Sequence, residues 1–127
     1  MNKLIKTIPS DKLSYEFLHS LNGIIGLTGR ELQVLARFLD LHLQSSKNKL
    51  QRKSVDCAEH RKLIMSTFGV SKENLSRYIK GYREKSLLMK DKATNKTTFN
   101  PAIVPIIIGG KTVQITMILK INDNEQI

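Results

Sequence analysis

Few side chains in this 127-residue sequence are spaced for catalysis. Cys57 and His60 lie one helical turn apart, as two metal ligands on one helix face would. A structural zinc site takes four ligands, and the only other histidines are His19 and His42. Helix-surface or buried roles therefore account for Cys57 and His60 better than metal binding does. Asp56 and Glu59 have the spacing of a capping box, which explains the two carboxylates without acid–base chemistry. Serines, histidines and aspartates are too scattered for a nucleophilic triad. Gly109-Gly110 reads as a hairpin turn rather than a phosphate-cradling loop. These residues predict no enzyme activity, no cofactor and no metal.

What the sequence concentrates is positive charge. Lys and Arg number 21 against 11 Asp and Glu, a net charge of +10. Between Lys47 and Lys96 stand fourteen basic and five acidic residues, an excess of nine; the rest of the chain carries seven against six. Charge placed so unevenly points to a polyanionic partner, nucleic acid before membrane. Aromatics make up 6% with no Trp, too few for a platform on which several bases stack. No run approaches the roughly 18 apolar residues of a membrane span, and residues 1–6 have no apolar stretch long enough for a signal peptide. One cysteine excludes an intrachain disulfide framework and fits a reducing compartment. The expectation is a cytoplasmic, or nucleoid-associated, protein with no membrane partner.

The length is that of one domain, residues 1–127. Two N-terminal helices are expected within residues 10–44. The first is capped by Ser10 and ended near residue 22 by Gly23. The second opens on the capping box Thr28-Gly-Arg-Glu31, with Leu27 and Leu32 as a hydrophobic staple. Residues 45–54 read as a mobile basic connection. A capping box at Asp56 opens a helix to about Thr67, Phe68-Gly69-Val70 turns, and Ser71 caps a helix from Lys72 to about Lys85. The period then changes from 3.6 to 2. Leu87–Lys90 and Thr97–Phe99 predict two strands joined by a basic loop. Ile103–Ile121 predicts a hairpin about Gly109-Gly110, followed by a polar tail at 122–127.

Residues 61–88 resemble a helix-turn-helix. Gly69 supplies the positive φ of the turn. Ile64, Phe68, Val70, Leu75 and either Tyr78 or Ile79 occupy the apolar positions of that pattern, while Met65 stands where it usually has Ala. Arg83 to Asp91 is similar to the helix exit and first wing strand of winged helix-turn-helix proteins. The segment resembles MarR-type regulators and small plasmid or phage replication initiators, and in the initiators a motif like Phe99-Asn100-Pro101 often follows the wing. The resemblance implies an α+β winged helix-turn-helix, with an N-terminal helical part and an additional C-terminal β-hairpin. It makes 56–85 the helix-turn-helix and 87–99 the wing.

The implied function is sequence-specific binding of double-stranded DNA, with transcriptional regulation as the first role and replication initiation as the second. Arg77 would contact guanine and Asn74 adenine. Ser71 and Ser76 would help hold a phosphate at the helix start. Lys72, Lys80 and Arg83 would take phosphates, and Lys90, Lys92 and Lys96 would decorate the wing. The hairpin is more apolar than a small domain needs, so it either covers the first helices or joins a homodimer; the first helix is a second candidate dimer surface. The alternative of a different class is a winged-helix protein-interaction module, such as a polymerase accessory or phage structural component.

Overall fold

The reciprocal bonds of Thr28 and Glu31 start the longest helix. Glu31 N–H donates to Thr28 Oγ1 at 3.3 Å, and Thr28 N–H donates to Glu31 Oε1 at 2.9 Å. In the computed structural model, which describes residues 7–45, 51–108 and 112–114, this helix is α2 (Gly29–Gln44). It is preceded by a 3₁₀ turn at Ser10–Lys12 and α1 (Leu13–Ile25). After it come α3 (Ala58–Phe68), α4 (Lys72–Glu84), β1 (Leu88–Lys90) and β2 (Thr97–Phe99). A second 3₁₀ turn at Pro101–Ile103 leads to β3 (Ile106–Ile108) and β4 (Thr112–Gln114). The class is α+β, as expected. The strands form two separate antiparallel pairs, Leu88 opposite Phe99 in one and Ile107 opposite Val113 in the other.

Several boundaries differ from the expectation, each for a visible reason. Gly23 is helical, and Gly26, at φ 72°, is the left-handed residue that ends α1. The later end wins because its polar groups are satisfied. Gly26 N–H donates to the Asn22 carbonyl, the Asn22 amide exchanges two hydrogen bonds with the Leu27 backbone, and Lys85 Nζ donates to the carbonyls of Ile25 and Gly26 at 3.3 Å. The ammonium also sits at the negative end of the helix dipole. At the other end Lys12, not Ser10, is the cap residue, without a side-chain cap bond.

The capping box expected at Asp56 does not form. Cys57 is the cap residue of α3, again without a side-chain bond, because the Asp56 carboxylate is spent elsewhere. Of the basic connection, residues 46–50 lie outside the described residues, and residues 54 and 55 line the edge of β2. Val55 is buried and its N–H donates to Thr97 O at 2.9 Å, while Thr97 N–H donates to Ser54 Oγ at 3.0 Å. The open edge of a strand leaves backbone groups that need partners, and this segment supplies them. Similarly, Asn100 Oδ1 accepts from Ala102 N–H and Pro101 opens a 3₁₀ turn. The apolar run therefore becomes strand only at Ile106, beyond Pro105. The remainder of the predicted C-terminal hairpin, its Gly109-Gly110 turn and residues 115–121, and the tail lie outside the described residues.

One apolar cluster draws on α1 through β2, with Leu18, Phe38, Ile64, Leu75 and Phe99 almost fully enclosed. Tyr82 is also enclosed, and its hydroxyl donates to the Glu31 carbonyl at 2.6 Å, joining the end of α4 to the first turn of α2. Burial, with Glu31 and Tyr78 nearby, pushes that hydroxyl far above its ordinary pKa, so it remains a donor. Tyr82→Phe leaves the packing and strands one carbonyl lone pair. Chemical denaturation should show a loss of about 1 kcal/mol with an unchanged m-value.

Candidate nucleic-acid interface

Gly69 determines how α4 leaves α3. It sits at φ 64°, ψ 31°, a left-handed conformation that costs glycine little, and two residues later Ser71 Oγ accepts from Asn74 N–H at 3.1 Å to begin α4. Leu75, Ile79 and Tyr82 then face the core. Ile79, rather than Tyr78, is the fully enclosed residue of that pair; Tyr78 and Met65 are half-buried at the core's margin. Ser71, Lys72, Glu73, Asn74, Ser76, Arg77 and Lys80 are all exposed. The structure thus brings six of the ten predicted site residues onto the accessible side of one helix.

Arg83 is placed differently. Its guanidinium donates to Asp56 Oδ2 at 2.7 Å and to Thr97 Oγ1 at 3.1 Å. Asp56 also accepts from Ser54 Oγ through Oδ1 at 2.8 Å. Arg61 adds a third attachment: Nε donates to the Asp56 carbonyl at 3.0 Å, and the guanidinium donates to Ser76 Oγ at 3.3 Å. Burial alone would raise the Asp56 carboxyl, but the Ser54 hydroxyl, Arg83, Arg61 and Thr97 hold it below the usual carboxylate range. This network was not legible in the sequence, since it joins positions 54, 56, 61, 76, 83 and 97 across α3, α4 and β2. The only local signal is Ser54-x-Asp56, which looks like a helix start.

The turn between β1 and β2 presents the remaining cations. Asp91 organises it: its Oδ1 accepts from Ala93 N–H, its carbonyl from Asn95 N–H, and its own N–H donates to Lys96 O. Asn95 takes a left-handed conformation at φ 59°. Lys90 and Lys92 are exposed. Lys96 is half-buried, and its ammonium donates to the Arg52 carbonyl at 2.7 Å. Lys53 pairs with Glu59. Cys57 and His60 do not gather a metal-ligand cluster among the described residues; His60 Nδ1 instead hydrogen-bonds the Val55 carbonyl at 2.9 Å.

An open groove of about 490 Å³ lies beside this turn, lined by His42, Arg52, Lys90, Met89 and Phe99 among others. The His42 ring packs tilted on Phe99, with centroids 5.2 Å apart, and its enclosed Nδ1 has no hydrogen-bond partner among the described residues. Among the described residues, no helix is long and apolar enough to cross a membrane. No family model matches this chain, and no curated protein or solved structure matches it.

Burial, and secondarily Arg52, lowers the His42 pKa from 6.5 to about 4. A histidine depressed in the folded state stabilises the fold above its unfolded pKa and loses that contribution as protons bind the unfolded chain more readily. Denaturation midpoints should therefore fall as pH drops from about 6.5 toward 4. His42→Leu should flatten the profile in that window; an equal slope in the variant would assign the loss to other groups.

Proposed function

We propose that this chain is a winged helix-turn-helix protein that binds double-stranded DNA with sequence preference. The observation that carries this reading is the division of α4: Leu75, Ile79 and Tyr82 hold it to the core while its whole polar side, from Ser71 to Lys80, stays open. A helix so mounted can lie in a major groove with the residues of its first turns against base edges. The β1–β2 hairpin has the position in the chain and the exposed Lys90 and Lys92 of a wing, suited to an adjacent backbone or minor groove.

Roles follow from side-chain chemistry. Arg77 is the candidate for a bidentate contact to guanine, and Asn74 for one to adenine. Lys72, Lys80, Lys90 and Lys92 take phosphates. Ser71 already caps α4 and Ser76 already accepts from Arg61, so each has its remaining hydrogen-bonding capacity for a phosphate. Arg83 and Lys96 are tied to Asp56 and to the Arg52 carbonyl, which makes them supports of the surface before contacts to DNA. Control of transcription is the first role proposed, replication initiation the second, both in the cytoplasm. A homodimer suits a palindromic site. Ile106 on β3, 71% exposed, and Ile24 on α1, 62% exposed, are the apolar side chains from which its contact would be built.

Selection from a random duplex library at physiological salt tests the function. The affinity should fall steeply as salt rises, because bound cations release counterions from the phosphates. Arg77→Ala should cost about 1–3 kcal/mol and relax one base position, whereas Lys92→Ala should weaken all sequences alike and lower the salt slope by about 1. Binding that ignores salt and both substitutions would sink the reading in favour of a protein-interaction module. Light scattering should give twice the 14.4 kDa chain mass, and Ile106→Lys should return it to one; a wild-type monomer at high concentration would remove the dimer.

A further inference from the structure

The outermost line of α4 carries a carboxylate where a phosphate-seeking surface would have none. At roughly 100° per residue, Glu73, Arg77, Lys80 and Glu84 fall opposite the buried Leu75, Ile79 and Tyr82, and all four are exposed. Glu84 closes the line at the end of the helix and Glu73 opens it one turn before Arg77. Other acids in the basic stretch have visible work: Asp56 and Glu59 pair with cations, and Asp91 shapes its turn. Glu73 enters no ion pair among the described residues, although Arg77 is one turn along the same helix.

We infer that Glu73 is a specificity-determining residue that accepts a hydrogen bond from the exocyclic amino group of a cytosine in the major groove. The inference rests on the DNA-binding reading above. A carboxylate on this line cannot meet phosphate without repulsion. If the outward side of α4 enters a groove, Glu73 must approach base edges together with Arg77. Among those edges, the amino groups are the donors it can accept from, and cytosine N4 is the usual partner of an acidic side chain. Any other base there leaves a desolvated charge without a donor, so Glu73 discriminates by penalty as well as by contact. Glu84 places a second repulsive charge at the far end of the line, which favours docking through the first turns of α4.

The test is the same library selection on wild type, Glu73→Ala, Glu73→Gln and Arg77→Ala. Wild type should select a cytosine next to the base lost in Arg77→Ala. Glu73→Ala should lower the preference for that cytosine about tenfold while raising affinity for unrelated DNA, and Glu73→Gln should shift the position toward adenine. A wild-type chain that selects no sequence overturns the DNA-binding reading and this inference with it. A wild-type site that changes with Arg77→Ala but keeps every base in Glu73→Ala overturns this inference alone. In that event Glu73 serves only the helix dipole, and its removal would lower stability without moving the selected bases.

Discussion

The exposed basic surface depends on how α4 is held. A helix of 13 residues with three enclosed side chains has a single choice of outward side. Leu75 and Ile79 supply the apolar contact that sets that rotation, and the Tyr82 hydroxyl on the Glu31 carbonyl adds a polar tie to α2. Rotating α4 by one residue position would bury a charged side chain and expose one of these, a change that costs several times the net worth of one hydrogen bond. Gly69 makes the arrangement reachable, because the chain leaves α3 through a left-handed residue and returns Leu75 to the core that also encloses Ile64.

Charge is distributed by a second constraint. The basic stretch carries nine more cations than anions, and a compact state with that surplus repels itself. Two of its five acids are paired directly with cations. Asp56 draws in Arg83 and Arg61 from two helices, and Glu59 meets Lys53. Lys85 and Lys96 are met by backbone carbonyls instead. Among the described residues, Lys72, Arg77, Lys80, Lys90 and Lys92 make no such attachment, and all five are exposed. Cations that hold the structure and cations available to a partner are therefore different residues.

The parts of this organisation that could be read in the sequence are those determined within a few residues. The Thr28–Glu31 box, the Gly69 turn, the Ser71 cap and the inward stripe of α4 rest on local hydrogen bonds and on helical period, and each appears where it was expected. What misled was the same local chemistry in competition with distant partners. Asp56 has capping-box spacing but is drawn to Arg83, 27 positions away. Gly23 could end a helix, but Asn22 and Lys85 make Gly26 the better place. The 45–54 connection reads as polar loop because its value to β2 lies in the Ser54 hydroxyl, which accepts from Thr97 N–H, and in the backbone N–H of the adjoining Val55, and periodicity carries no trace of those. In the candidate interface, the outward residues of α4 were legible from the positions of its apolar ones, whereas the internal commitments of Arg83 and Lys96 were not.

Asp56 also has a consequence for binding. Through Arg83 and Thr97 its carboxylate ties α4 to β2, and through Arg61 it reaches Ser76 in the middle of α4. The two pieces proposed to touch DNA are thus joined by a connected set of hydrogen bonds before any DNA arrives. Contacts made by separate, freely moving elements would each have to offset their own ordering entropy; a helix and hairpin already fixed to each other lose less. If α4 reads a base and the hairpin meets a phosphate as proposed, the spacing between the two would be a property of the protein, not of the complex. On that view the two arginines bound to Asp56 would contribute to recognition by setting a distance, and the cations without such ties would supply the attraction.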